Sequence, residues 1–383
     1  MQFVVLLGVV SFFADMTYEG SRGMTGQFLA TLGTTAVVVA TVAGAGELLG
    51  YGLRMLSGRI SERTQAFWPI TLLGYVVQMV SVPALALAPN WQVAALLILA
   101  ERTGKAIRNP PRDVMLAHAS QEMGYGWGFG LHEAMDQAGA LIGPLLMAAI
   151  IARRGNYRGA FALLAVPALL TLIFVLLARI LYPRPEELDL RPREAGSGEL
   201  PRVFWIYLAA AALVAAGFAD FQLIAYHFQK ADAFRASWIP ILYAIAMAVS
   251  GAGSLLFGRL FDRAGIRVLI PLTIVSALFA PLVFLGGFWA AVAGAAIWGV
   301  GMGVHESIIP AAVAGMVPVS RRASAFGIFT GGYGIAWFAG SVVMGVLYDR
   351  SIAAVVAFCV VLQLLAVPIL QRVWTLESRA QRV

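Results

Sequence analysis

Of 383 residues, 60% are hydrophobic and only 12% charged, with a net charge of +7 and a mean hydropathy of +0.81. A soluble domain carries roughly 25% charged residues, so the composition excludes one and places the chain in lipid. Bilayer-spanning helices need about 20 apolar residues; the ~10-residue alternation of barrel strands is absent, so the expected class is an all-α integral membrane protein.

Apolar windows bounded by glycine, proline or charge predict twelve spans: 3–30, 35–57, 67–88, 91–109, 125–151, 158–181, 203–229, 236–257, 267–286, 289–316, 322–347 and 351–372. The first lacks the basic start and cleavage site of a signal peptide. It carries Asp15, Glu19 and Arg22 at i, i+4 and i+7, one face of a helix. The second holds Glu47 near mid-membrane and leaves through "GRISER", with Gly58, Glu62 and Arg63. The fourth holds Glu101 and Arg102 and runs into "ERTGKAIRNPPRD". Pro110 and Pro111 are expected to end it, leaving Arg108, Arg112 and Asp113 at the cytoplasmic face. There they either pair with Glu62 or Asp262 across a gate or receive an anionic substrate or lipid headgroup.

The fifth span opens on "GYGWGFG" at Gly124, read as a hinge or packing feature, and carries His132, Glu133 and Asp136, then Gly139, Gly143 and Pro144. Between the sixth and seventh spans lies "YPRPEELDLRPREAGSGELPR", rich in proline, glycine and charge. It divides the chain into an N-terminal six-helix bundle (1–181), a linker (182–202) and a C-terminal six-helix bundle (203–383). In the seventh span Asp220 and His227 repeat the spacing of Asp15 and Arg22; the eighth leaves through "GRLFDRAGIR", with Gly258, Asp262 and Arg263; the tenth carries His305 and Glu306. The third, sixth, ninth and twelfth have no acidic, basic or histidine residue in their apolar cores. Each ionisable group inside the membrane costs at least ~2.5 kcal/mol on insertion scales, which makes it a functional candidate.

With the linker cytoplasmic, most arginines and lysines fall on its side, so both termini are expected in the cytoplasm of a multi-pass protein of the cell (inner) membrane; the cluster Arg153, Arg154, Arg158 dissents. The same scatter of basic residues among short loops argues against nucleic-acid binding. Cys359 is the one cysteine, which rules out an intrachain disulfide.

The two halves match in more than their loops: Phe13-Ala14-Asp15 recurs as Phe218-Ala219-Asp220, Phe129-Gly130 as Phe326-Gly327, and Trp91 and Trp289 open the fourth and tenth spans. Parallel repeats of this kind are a transporter design. The chain resembles the major facilitator superfamily, whose signature between the second and third helices is roughly G-x-L-x-D-R-x-G with trailing basic residues. Gly258, Leu260, Asp262, Arg263, Gly265 and Arg267 match it; the N-terminal copy keeps Gly58, Ile60, Glu62 and Arg63 but has Gln65-Ala66 in place of the second glycine and its neighbour. Gly139, Gly143 and Pro144 match the superfamily's antiporter signature, G-x-x-x-G-P, without its final glycine pair. The resemblance implies two pseudo-symmetric six-helix bundles that expose a central cavity to each side in turn, and it places the charge-free helices outside that cavity.

No nucleophile elbow, phosphate-binding loop, zinc-binding histidine pair or dinucleotide fingerprint stands in a fitting context, so neither an enzyme nor a cofactor is expected. The reading is a monomeric secondary transporter that exports a small molecule against protons. A buried carboxylate is drawn to its neutral form by lost water and to its charged form by a nearby arginine. Asp15 and Asp136, with no arginine or lysine one turn away, are the favoured proton carriers, and His132 is a relay or a structural histidine. Glu19 with Arg22, and Glu101 with Arg102, read equally as static pairs. With Lys105, Arg108 and Arg112 placed at the cytoplasmic side, the acids outnumber the arginines in the expected cavity, which favours a cationic or amphipathic substrate. Tyr18, Trp127, Trp298, Tyr333 and Trp337 would line a pocket or serve packing. Alternatives are a proton-coupled importer, a divalent-metal exporter using His132-Glu133, His305-Glu306, Met135 and Met302, or a non-transporting receptor or lipid-handling protein.

Overall fold

The computed structural model describes residues 1–119, 125–183, 200–232, 234–305, 309–317 and 322–380. Glu306 lies outside the described residues, as does most of the 182–202 linker, and the side chains of Glu62, Trp127 and Asp262 are likewise outside what is described. The described residues form helices and no strands: α1 (Gln2–Thr31), α2 (Ala36–Thr64), α3 (Phe67–Ala84), α4 (Trp91–Ala119), α5 (Tyr125–Arg154), α6 (Tyr157–Leu163), α7 (Ala165–Leu181), α8 (Arg202–Ala216), α9 (Phe221–Lys230), α10 (Trp238–Ala264), α11 (Leu269–Ala277), α12 (Phe279–Leu285), α13 (Phe288–Gly303), α14 (Ile309–Met316), α15 (Arg322–Tyr348) and α16 (Ile352–Ala380). Ten stretches are long and apolar enough to cross a bilayer; α4 falls short because of its charges and α13 because of its length. Lipid offers the backbone no hydrogen bonds, so helices are the available solution.

Among the described residues, three of the spans are interrupted: between α6 and α7, α8 and α9, and α11 and α12. Pro167 and Pro281 leave the carbonyls of Leu163 and Ala277 without their i+4 donors, and helical order breaks one residue later, at Leu164 and Leu278. Pro110 and Pro111 were expected to end a helix in the same way, yet α4 runs through both to Ala119. The Ser57 hydroxyl donates to the Ile107 carbonyl at 2.6 Å, replacing the donor that Pro111 lacks. The two loop signatures are also helical: Gly58 to Arg63 ends α2 and Gly258 to Arg263 ends α10. After each the backbone turns left-handed at the same repeat position, with φ 54° at Gln65 and φ 63° at Gly265.

Two compact units result. The first comprises residues 1–34, 45–191 and 228–244, the second 35–44, 192–227 and 245–383. In the first, small residues bring helices close. A Cβ on Gly139 would overlap the Phe12 carbonyl, and one on Gly143 would overlap the Met16 carbonyl, so α5 lies backbone to backbone on α1. Gly74 and Gly104 do the same for α3 and α4, where a Cβ on either would stand 2.7 Å from the other's carbonyl oxygen. In the second unit Gly340 meets the Ala216 carbonyl and Gly299 the Ala246 carbonyl.

Candidate functional site

In the first unit the close approach of α1 to α5, and of α3 to α4, encloses a set of charged side chains. Arg22 on α1 donates to Glu47 on α2 at 2.9 Å, and Arg102 on α4 reaches the same carboxylate oxygen at 3.2 Å. Gly46 makes room for this, since a Cβ there would stand 2.9 Å from the Arg102 side chain. The Tyr18 hydroxyl accepts from Arg102 at 2.5 Å and from Arg22 at 3.1 Å. Glu19 accepts from the Tyr243 hydroxyl, on the stretch of α10 that belongs to this unit. Thus the static pair expected between Glu19 and Arg22 is not formed: each has a partner on another helix. Glu101 lies 3.7 Å from Arg102 and accepts from Gln78 at 3.0 Å, so its nearer partner is an amide on α3.

Arg108 was expected at the cytoplasmic face and is fully buried instead. Its Nε donates to Gln78 at 2.6 Å and its Nη1 to Tyr75 at 3.1 Å, while Nη2 stands 3.8 Å from Asp15. Arg112 is buried as well, bonded to Asp113 at 2.7 Å and to Ser11 at 3.2 Å. The reason is the uninterrupted α4, which carries both arginines along the helix rather than into a loop. With Lys105, Arg108 and Arg112 drawn inside, the acids expected in the cavity are nearly balanced by bases within this unit, so the expected acid surplus narrows there. Tyr75, Gln78, Lys105 and Tyr243 escaped the sequence reading; Gln78 and Tyr75, polar groups inside an apolar run and three residues apart, were the available signal.

On α5, His132 is buried with Nε2 lacking a hydrogen-bond partner. Asp136 lies within electrostatic reach of Arg112, His132 and Lys105, and its Oδ1 is buried without a hydrogen bond. Glu133 faces away, exposed, and accepts from Gln137 at 2.9 Å. Met135 packs against Gly8 of α1.

The second unit gathers a different set. The seventh span breaks after Gly217, and Phe218 to Asp220 run non-helically between α8 and α9. Trp298 donates to the Ala219 carbonyl at 2.8 Å and Gln363 to the Gly217 carbonyl at 3.2 Å, which supplies the broken backbone with donors. Asp220 Oδ2 accepts from Ser341 at 3.0 Å and Trp337 at 3.2 Å. His305 bonds the Tyr333 hydroxyl, and its ring lies 4.3 Å from that of Phe218 and 5.2 Å from Trp337. Trp298, Tyr333 and Trp337 are all buried, Tyr333 and Trp337 against each other and Trp298 against Phe218 and Phe221, rather than facing lipid. His227 meets the Tyr348 hydroxyl at 2.8 Å, well along α9 from Asp220. Among the described residues no group of three or more histidine, cysteine or acidic side chains is placed to hold a metal ion.

A family profile described as Major Facilitator Superfamily matches residues 7–286 and 226–382. The chain belongs to this superfamily. Among curated relatives, the uncharacterized protein Rv2265 of Mycobacterium tuberculosis is 39% identical over 95% of this chain and 91% of its own length. An uncharacterized MFS-type transporter, MJ1317 of Methanocaldococcus jannaschii, is 25% identical over 91% of this chain and 89% of its own. Among solved structures, a POT family transporter in complex with 5-aminolevulinic acid superposes with a TM-score of 0.78 at 14% identity, covering 98% of this chain and 96% of that one. The nucleoside transporter NupG gives a TM-score of 0.74 at 13% identity, over 98% and 99%. At such identities the likeness shows the fold alone, a twelve-helix multi-pass membrane fold; the superfamily rests on the profile match.

Proposed function

We propose that this superfamily member is a proton-coupled exporter of a small organic molecule, working by alternating access in the cell membrane with both termini and the 182–202 linker cytoplasmic. One contrast within the first unit carries the coupling. Glu47 is clamped by two guanidinium groups, at 2.9 and 3.2 Å, whereas Asp15 has its arginine at 3.8 Å and Asp136 keeps a buried carboxylate oxygen with no hydrogen bond. Protonating a clamped carboxylate strands two buried cations at once, which is strongly unfavourable; protonating one whose single arginine stands at 3.8 Å, or one with an oxygen that accepts no hydrogen bond, costs less. Asp15 and Asp136 therefore serve as the exchanging acids, with His132, one turn from Asp136, beside them.

The exporting direction is supported by Gly139, Gly143 and Pro144, which fit α5 tightly onto the helix that carries Asp15, Glu19 and Arg22. The orientation rests on the arginine and lysine bias of the loops. Asp220 and His305 line the matching position of the second half, where neutral donors hold the acid and an aromatic cluster surrounds the imidazole.

Reconstituted vesicles with an imposed pH gradient and a trapped pH-sensitive dye test this reading. Against a panel of organic cations, anions and zwitterions, the wild type is expected to couple solute flux to proton flux. Asp15→Asn and Asp136→Asn are expected to fold but to lose that coupling. Unchanged proton-linked flux in both variants would remove them from the mechanism.

A further inference from the structure

Four cations and four acids meet around α1 and α4, and the acids are all engaged: Asp15 by Arg108, Glu19 by Tyr243, Glu47 by Arg22 and Arg102, Glu101 by Gln78 and Arg102. Lys105 is the exception among the cations. Within the described residues it enters none of the ion pairs and donates none of the hydrogen bonds of this cluster, although Asp15 and Glu19 lie within its electrostatic reach. Its Nζ sits instead 3.7 Å from the centre of the Tyr18 ring, with the Arg102 and Arg22 guanidinium carbons at 5.1 and 6.0 Å from that centre. The ring face attracts the ammonium but provides no oxygen acceptor for its three N–H groups. Beside it, Arg22 is 4% exposed and its Nε is buried without a hydrogen-bond partner. Lys105 itself is half-buried, the most exposed of these four cations.

We infer that Lys105 is the recognition point for an oxyanion, a carboxylate or phosphate group, on the transported molecule, held in place by the Tyr18 ring and backed by Arg22 and Arg102. This rests on the transporter reading above and reverses the charge preference that composition alone gives. A cationic group entering here would face three cations converging on one ring, while an oxyanion would form charge-assisted hydrogen bonds, about twice as strong as neutral ones.

The test uses purified full-length protein in a zwitterionic, lipid-free detergent and four matched alkyl series differing only in headgroup: carboxylates, phosphates, amides and amines. Binding is read by thermal shift and by titration, with no pH gradient, so its result is independent of proton coupling. The anionic series are expected to stabilise the wild type. Lys105→Gln is expected to bind them at least about tenfold more weakly, and Lys105→Arg to keep most of the affinity. A preference for phosphate over carboxylate, or the reverse, names the headgroup within the same proposal. Equal stabilisation by amines or amides, undiminished anion binding in folded Lys105→Gln, or no stabilisation by any anion overturns it. An Asp136→Asn variant that binds the anions yet moves no protons would leave this inference standing and localise the coupling; loss of anion binding in Lys105→Gln alone would leave the coupling reading untouched.

Discussion

Each unit carries one copy of a repeated sequence pattern, and their interiors differ. Where the first has Asp15 facing Arg108 inside a lattice of guanidinium groups and carboxylates, the second has Asp220 held by the Trp337 indole and the Ser341 hydroxyl. The matching Phe-Ala-Asp stretch is an intact helix in one and a break between α8 and α9 in the other. Ionic pairing needs every partner in place, because each charge removed strands another; an aromatic cluster tolerates the loss of one polar contact. The first unit is thus held by charge pairs and the second by neutral donors and aromatic packing.

The sharpest break of this contrast comes from removing one acid in each half. Glu47→Ala strands Arg22 and Arg102 and is expected to destabilise the protein by about 3–5 kcal/mol, read as lost folded yield or a large fall in detergent thermal stability. Asp220→Asn keeps a carbonyl oxygen for Ser341 and Trp337 and is expected to lose only about 1 kcal/mol. Similar losses in both would erase the distinction.

Close helix packing, by contrast, is shared. Gly139→Ala and Gly340→Ala each push a methyl into a facing backbone carbonyl, of Phe12 and Ala216, and each is expected to lose about 1–3 kcal/mol. Ser57→Ala is expected to lose about 1 kcal/mol and to loosen α4 at Pro111, an increase in local hydrogen exchange being the readout. The smallest effect lies at the repeated turn. A non-glycine residue in the left-handed region is strained by roughly 1–2 kcal/mol, so Gln65→Gly is expected to stabilise by about 1 kcal/mol or less, while Gly265→Ala destabilises by a like amount.

The turn shows what the sequence could reveal. Gly58 and Gly258 mark the repeat, and the absence of a second glycine at Gln65 reads as a departure, yet the backbone keeps the same left-handed turn in both copies. The spans were legible because bilayer thickness fixes their length and hydropathy. Helix continuity through Pro110 and Pro111 was not, because it depends on Ser57, fifty positions away, delivering a hydroxyl to Ile107. The membrane acids were legible as a set, since any charge in an apolar run stands out. Their pairing was not: sequence spacing offers Glu19 to Arg22, whereas Gly46 and Gly143 let α4 and α5 come close enough to build an interior in which Arg22 chooses Glu47. Lys105 and Arg108 were placed at the cytoplasmic end of the fourth span because the helix was expected to stop at 109.

Infrared titration of reconstituted protein, following the carbonyl stretch of protonated carboxyl groups, tests the central claim most directly. The account predicts a protonation band that is diminished in Asp15→Asn and Asp136→Asn and unchanged in Glu47→Gln. A band that survives both aspartate changes, or that vanishes only when Glu47 is replaced, would contradict it.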